Sequence, residues 1–536
     1  MDVPTSIPPG FGWEQWLSSL SARPAPYLLV FAFLIVAISY MRERSRDQLK
    51  RIPYLNAPQF YSSIGAKHGE ALIAQARQKY ARLPYRFLMD IGEVVVLPPE
   101  FIDEIRNEPN LSFGEAFKED FHSNIPGLEP MSQLSGDQLV QSVLRKYLVK
   151  VTPEMTRRVS EEAASAIPTI IGGSLDWHEV TLHPTLLALV SRVSSRIFLG
   201  DELCRSEEWL QVIKTYSKAL FVAAAKLHIM PRPLRRIASW LIPELKVLRA
   251  QIKEAERIFA PVIARRQEMR HAAIANGWEV PKFDDALGWL EREATAKGLV
   301  FDAALVAKFE IVVVAVALHT TIDLVQQSMI ELAQRPETMQ QIRDEVIYHL
   351  RAEGLSRASL YKMSMLDSAL KETQRMKPIE TVMLRRRVMG DVHLSSGLTL
   401  KEGMRTWVST CRMRDPGVYE NPDQWDANRF LKLRSQPGWE NTTQLVSTSR
   451  DHYAFGYGEH ACPGRFFAAN EIKVLFCHLL VNYEWKLAPG VDVRPKIFGI
   501  AWVASQDAKL SMRRREKAEF DFGSVWDAET PGIMEV

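Results

Sequence analysis

The chain has 536 residues, 46% of them hydrophobic, which is ample for a large buried core. Its 67 basic and 64 acidic side chains leave a formal charge of +3, which argues against bulk binding to nucleic acid. Four cysteines (Cys204, Cys411, Cys462 and Cys477) have no framework spacing, so reduced thiols are expected rather than a disulfide scaffold.

Residues 25–41 (APYLLVFAFLIVAISYM) form an uncharged apolar run. At about 1.5 Å per residue it spans roughly 25 Å, slightly short of a bilayer core. Trp13, Trp16 and Tyr27 flank it as candidate interfacial anchors. Arg42, Arg44, Arg46, Lys50 and Arg51 follow it, the reverse of the charge order in a cleavable signal peptide. The positive-inside rule then puts the body in the cytosol and the extreme N-terminus in the lumen. A buried core helix is the alternative. These features divide the chain into an anchor with a basic hinge (1–50), a body (51–515) and an acidic, disordered tail (516–536).

Further along, 85–89 and 94–97 flank Asp-Ile-Gly-Glu and read as a hairpin, and Pro98-Pro99-Glu100 opens a helix. Residues 109–135 read as loop with scattered aromatics, Phe113, Phe117 and Phe121. Residues 139–148 read as helix and carry Arg145. Helices fill 207–270 around the apolar-basic stretch 227–243, which suits either a membrane interface or an ordinary solvated face. Residues 302–329 form a long apolar helix containing Ala315-Val-Ala-Leu-His-Thr-Thr321. Later helices hold Glu345 and 365–376, where Glu372 and Arg375 lie one turn apart. Strands separated by Gly390 and Gly397 occupy 380–408. The fold class is mainly α with minor β.

The densest signal is Phe455-Gly-Tyr-Gly-Glu-His-Ala-Cys-Pro-Gly-Arg465. Gly456, Gly458 and Gly464 permit turn conformations and close approach to a flat ligand. Cys462 immediately precedes a helical run, 465–480, whose free N–H groups favour a thiolate. Such a thiolate suits axial ligation of haem iron. A buried structural cysteine in a Gly-rich turn is the plainer reading.

The motif Phe455-x-x-Gly458-x-His460-x-Cys462-Pro463-Gly464 resembles the haem-binding loop of the cytochrome P450 superfamily, and HACPGRFFAANEIK resembles fungal microsomal members that oxidise terpenoids. The resemblance covers about 50–515 and implies a P450 fold preceded by an N-terminal transmembrane helix. It implies haem b held by Cys462, with Phe455, Gly456 and Gly464 in its loop, and His460, Arg145 and Arg386 as partners of the haem propionates. It implies a buried triad of Glu372, Arg375 and Arg429 behind the loop. On the oxygen side it implies Ala317 as the small residue and Thr320 as the proton-organising hydroxyl. His319 stands where many members carry an acid, with Thr321 and Asp323 as alternative relay members. By position it implies a substrate pocket at Phe113, Val382, Met383, Phe498 and Trp502. The sequence departs from the family at Gln141, where tryptophan is frequent, and at Lys401, where proline is usual.

The function this implies is a monooxygenase acting on an apolar secondary-metabolite intermediate, terpenoid or indole-diterpenoid. It would use O2 and NADPH electrons delivered by cytochrome P450 reductase at the endoplasmic reticulum membrane. A reductase-independent isomerase or dehydratase is the runner-up, a haem carrier a third reading, and zinc ligation by His460, Cys462, Cys477 and His478 a fourth.

Overall fold

A computed structural model describes residues 30–38, 52–55, 75–76, 78–80, 82–89, 91–134, 139–498 and 500–523, the side chains of Ile497 and Phe498 excepted. The chain falls into two compact units, 1–53 and 54–536. In the first, 30–38 is a helix that exposes Val30, Phe31, Phe33, Leu34, Val36 and Ile38. The remainder of the apolar run at 25–41, and the basic cluster after it, lie outside the described residues.

The second unit opens on the expected hairpin, β1 (Tyr85–Met89) against β2 (Gly92–Leu97), in register Tyr85↔Val96. Its turn is permitted by Gly92 at φ +107. The stretch read as loop at 109–135 contains β3 (Leu111–Ser112), the helix α1 (Phe113–Asp120) and a 3-10 turn, Glu129–Leu134. Ser112 caps α1 by accepting from Glu115 N at 3.1 Å, and Phe113, Phe117 and Phe121 then recur at helical spacing. Next, α2 (Leu139–Val143) widens into a π-helical turn, Leu144–Leu148, that carries Arg145.

A layer of long helices follows: α3 (Pro153–Ile171), α4 (Leu182–Phe198), α5 (Glu207–Ile229), α6 (Pro243–Ala275) and α7 (Ala286–Ala296). Between α3 and α4 lies β4 (His178–Thr181). The central helix α8 (Ala303–Ala333) is capped by Asp302, which accepts from Leu305 N at 2.8 Å. It is long and apolar enough to cross a membrane, but 67% of its most apolar window is buried inside the body, so it is a core helix. After it come α9 (Pro336–Glu353) and α10 (Ser364–Met376).

Strands β5 (Val382–Val388), β6 (Val392–His393), β7 (Thr399–Leu400) and β8 (Arg405–Ser409) close the sheet in the order β1-β2-β8-β5-β3, with β6 and β7 as a separate pair. The helix α11 (Arg465–Asn482) follows the cysteine loop. Then β9 (Tyr483–Leu487), the hairpin β10 (Lys496–Phe498) and β11 (Ala501–Val503), and β12 (Lys509–Arg514) finish the fold, with β12 pairing both β9 and β4. Within the segment read as a disordered tail, Phe520 and Phe522 are packed on the core instead. Phe522 is buried and stacks on His478 with centroids 3.7 Å apart.

Candidate active site

Cys462 sits part-buried between a tight loop and the N-terminus of α11. Its N–H donates to Phe455 O at 2.7 Å, closing the loop across the motif. Gly456 and Gly458 take φ +74 and +78. At Gly458 a Cβ would lie 2.3 Å from Asn107 Oδ1 and 2.9 Å from the Arg106 backbone, so glycine is required there. Gly464 adopts φ −84, and a Cβ on it would make only ordinary contacts, so its part is to start α11. Burial raises the Cys462 thiol, while the backbone N–H groups of Gly464 and Arg465 and the Arg465 guanidinium favour the thiolate. Phe455 packs half-buried against the main core.

Above the loop three basic side chains converge, with no acid paired to them among the described residues. Arg386 is 3% exposed, and burial alone pulls it down to about 10. Its Nη1 donates to Arg385 O at 2.9 Å, but its Nε is buried with no partner. Arg145 Nη2 donates to Glu459 O at 2.6 Å, which holds its π-helical turn against the loop. His460 is held at about 4, first by burial, then by Arg386 and Arg145. A buried cation ordinarily has an anionic partner, so Arg386, with part-buried His460 and exposed Arg145 beside it, has the chemistry of a cradle for a dianion such as the haem propionates. The orphaned Arg386 Nε is the observation that makes the group fit.

A β-bulge selects Arg386 among the three consecutive arginines. The register of β5 on β8 runs Met383↔Val408 and then Arg386↔Thr406, one residue longer on β5, with Leu384 at φ +49. The bulge puts Met383 and Arg386 on one face and turns Arg385 and Arg387 to the other. There Arg385 pairs with Glu380 and Asp120, and Arg387 with Glu119. It also corrects one pocket assignment. Val382 faces Trp407 and is fully buried in a satellite core with Phe87, Val94 and Ile500, so it lines no pocket.

Behind the loop, Glu372, Arg375 and Arg429 come together. Arg375 donates to both carboxylate oxygens of Glu372, Nε at 2.7 Å and Nη2 at 2.9 Å, and Arg429 Nε adds a bond of 2.8 Å. The spare guanidinium hydrogens reach Met413 O, Pro422 O, Asn421 O and Gln424 O, so the triad fixes the long connection before the cysteine loop.

The segment expected to face oxygen forms a window in α8. The helix is buried almost all round from Val306 to Leu332, yet Val316 is 42% exposed, Thr320 is exposed and Ala317 partly so. Thr320 Oγ1 donates back to Ala317 O at 3.1 Å and lies 3.3 Å from Val316 O, which leaves its lone pairs to accept. Thr321 is buried. His319 lies off this window. Its ring meets Phe221 edge-on at 5.7 Å, and burial followed by His183 lowers its pKa.

Sequence reasoning missed Phe221, which completes an aromatic row. Centroid distances run 5.8 Å for Phe113–Phe117, 4.5 Å for Phe117–Phe121 and 6.1 Å for Phe121–Phe221, ending at His319. The row begins 5.9 Å from the Arg386 guanidinium. Only the register of α5 against α1 reveals it. Trp502 is half-buried in β11, and its backbone N–H donates to Ile379 O at 2.8 Å; the Phe498 side chain lies outside the described residues.

The zinc alternative fails on placement. Cys477 Sγ lies 3.6 Å from Met363 Sδ, and His478 Nε2 bonds Ser160 Oγ at 2.9 Å. Among the described residues, no group of three or more His, Cys, Asp or Glu could hold a metal ion.

The family model for cytochrome P450 matches residues 51–511. Cytochrome P450 monooxygenase hepE of Aspergillus oryzae is 38% identical over 518 residues, covering 95% of this chain and 94% of its own. Cytochrome P450 monooxygenase TRI1 of Fusarium sporotrichioides is 37% identical over 531 residues, covering 94% and 95%. Among solved structures, retinoic acid-bound cyanobacterial CYP120A1 matches with a TM-score of 0.65 over 87% of this chain and 99% of its own, at 17% identity, a likeness of fold.

Proposed function

The chain belongs to the cytochrome P450 family and is a monooxygenase, and from that premise we propose its substrate, electron source and location. The substrate is an apolar, multi-ring secondary-metabolite intermediate of terpenoid or indole-diterpenoid type. Electrons come from NADPH through cytochrome P450 reductase, and the protein works on the endoplasmic reticulum membrane with its body in the cytosol.

Haem bound by Cys462 supplies reductive activation of O2 and transfer of one oxygen atom to the substrate. The protein's own residues do the rest. The loop from Phe455 to Gly464 presents the sulfur, the triad of Glu372, Arg375 and Arg429 supports that loop, and Arg386, Arg145 and His460 would hold the propionates. Thr320 Oγ offers lone pairs at the window, and Ala317 keeps the space beside it free.

The observation that carries the substrate class is the aromatic row from Phe113 to Phe221, an apolar wall that runs from Arg386 to His319 of α8. Burying about 300 Å² of apolar ligand against such a wall contributes roughly 7 kcal/mol. Membrane attachment is supported by the apolar run before Arg42. A second support is the connection between α5 and α6, where Ile229, Leu234, Ile237, Trp240 and Leu241 are exposed among Arg232, Arg235 and Arg236.

Microsomes containing the protein, incubated with terpenoid, indole-diterpenoid and polyketide precursors, test the reading. A product gaining one oxygen atom from O2, formed only with NADPH and reductase and only from the terpenoid group, is expected. Turnover without NADPH would favour the isomerase or dehydratase alternative, and turnover of polyketide precursors alone would overturn the substrate class.

A further inference from the structure

Resting on the haem-thiolate reading above, we propose that Tyr147, Trp289 and Glu293 are positioning residues. Together they latch the π-helical turn to α7 and thereby set Arg145 against the cysteine loop.

Arg145 has little support from its own element. It is exposed, and no acid lies anywhere on 139–148. Gln141, one turn earlier on the same row, donates to Leu134 O at 2.6 Å instead. A long, rotamer-rich side chain reaches a fixed partner at low entropic cost only where its backbone is already held. Arg145 Nη2 nonetheless meets Glu459 O at 2.6 Å, one residue before His460, and His460 feels its charge.

The turn that carries Arg145 is irregular. Val149 N–H donates to Leu144 O at 3.3 Å, a five-residue step where an α-helix takes four. Such turns are rare, occur mostly singly and are frequent at functional sites. One long bond does little to fix this turn, so its shape follows from what packs on it.

That neighbour is α7. The Tyr147 and Trp289 rings lie 3° from parallel with centroids 5.5 Å apart. Glu293, one helical turn after Trp289, accepts on a single oxygen from Tyr147 Oη at 3.0 Å and from Lys146 Nζ at 2.5 Å. The Arg292 guanidinium lies 5.1 Å from the centre of the Tyr147 ring. Lys146 and Tyr147 are both drawn to α7, while Arg145, the residue before them, contacts the loop.

The anchor is itself fixed. Asp285 caps α7 by accepting from Gly288 N–H at 2.9 Å, and it takes two bonds from Arg266 of α6, at 2.8 and 2.6 Å. A Cβ at Gly288 would lie 2.2 Å from Phe283 O, so the first turn of α7 closes tightly on the chain before it. Trp289 is 1% exposed, and its Nε1 donates to Asp284 Oδ1 at 2.8 Å. A continuous path of contacts thus runs from α6 through α7 and Tyr147 to Arg145 and the loop.

A purely structural bolt would act on the haem whether or not Arg145 is present. The latch acts through Arg145, so its influence ends when that side chain is removed. The test uses the haem-loaded full chain and two readouts, the ferric–ferrous midpoint potential and the rate of ferric haem transfer to apomyoglobin. Arg145→Gln removes a positive charge and is expected to lower the potential. It should also speed haem transfer about tenfold, the loss of roughly one charge-assisted hydrogen bond. Trp289→Ala changes no charge, yet should move both readouts the same way in wild type and move neither in Arg145→Gln. Trp289→Phe should recover most of the difference. Tyr147→Phe keeps the stack and loses only the bond to Glu293; it runs the same cycle with the core of α7 intact, whatever the folding yield of Trp289→Ala. Unchanged potentials in Trp289→Ala and Tyr147→Phe, or equal shifts with and without Arg145, overturn the latch. Wild-type protein without haem, or with haem lacking the thiolate spectrum, instead overturns the reading beneath it.

Discussion

Replacing Glu372 by alanine removes the one carboxylate shared by two buried guanidinium groups. Glu372 and Arg375 are fully buried and Arg429 is 7% exposed, so neither cation can recover its loss from bulk water. Arg375 keeps its bonds to Met413 O and Pro422 O, and Arg429 keeps those to Asn421 O and Gln424 O, which holds both charges in place after their partner is gone. Breaking a buried ion pair costs about 3–5 kcal/mol, a large part of the 5–15 kcal/mol typical of native stability. Much of that strain falls on the connection leading to Cys462. The assay is haem per polypeptide, together with the urea concentration at which the reduced carbon-monoxide band is lost. Haem retention replaces an unfolding free energy, since a bound cofactor breaks two-state behaviour. Glu372→Ala is expected to purify with little haem, and Glu372→Gln to fall between it and wild type. Full haem content and an unchanged urea midpoint in Glu372→Ala would refute the reasoning.

Gly458→Ala should abolish the thiolate spectrum, because its Cβ would collide with backbone at 2.9 Å in a left-handed conformation; a normal spectrum would show that the loop can relax. Arg386→Leu removes a cation whose burial costs roughly 3 kcal/mol, which an anion offsets. Faster haem transfer to a scavenger is expected, and an unchanged rate would contradict the propionate cradle. Burial pushes the Glu471 carboxyl up to about 8, although Ser194 Oγ donates to it at 2.6 Å. A folded-state value above the unfolded one gives stability that is complete below about pH 4.3 and declines as pH rises through 8, by about 1.4 kcal/mol per pH unit between. Glu471→Gln should flatten thermal stability over that window, and equal slopes in both proteins would refute it.

What the sequence made legible was whatever depends on local spacing. The loop around Cys462, the pair of Glu372 and Arg375, and Thr320 within a long apolar helix follow from offsets of a few residues, and the structure pairs Glu372 with Arg375 at 2.7 Å and opens α8 at Thr320. The helix α1 was legible too, since Ser112 and Glu115 form a capping signature and the three phenylalanines recur every fourth residue. Read as isolated aromatics, they gave a loop. Other features depend on pairing across the chain. The bulge between Met383 and Arg386 is set by the register against β8, so alternation alone could not assign Val382. Phe221 belongs to the aromatic row only because α5 packs on α1, a contact that no local pattern encodes. Phe522 looked like part of an acidic tail because its partner, His478, lies some forty residues earlier.

The most direct test of the whole account is the carbon-monoxide difference spectrum of the dithionite-reduced protein, measured for wild type and Cys462→Ala side by side. Wild type is predicted to show the strongly red-shifted Soret band of a thiolate-ligated haem, and Cys462→Ala to show none. The same band in both proteins, or its absence from wild type that carries haem, would contradict the assignment of Cys462.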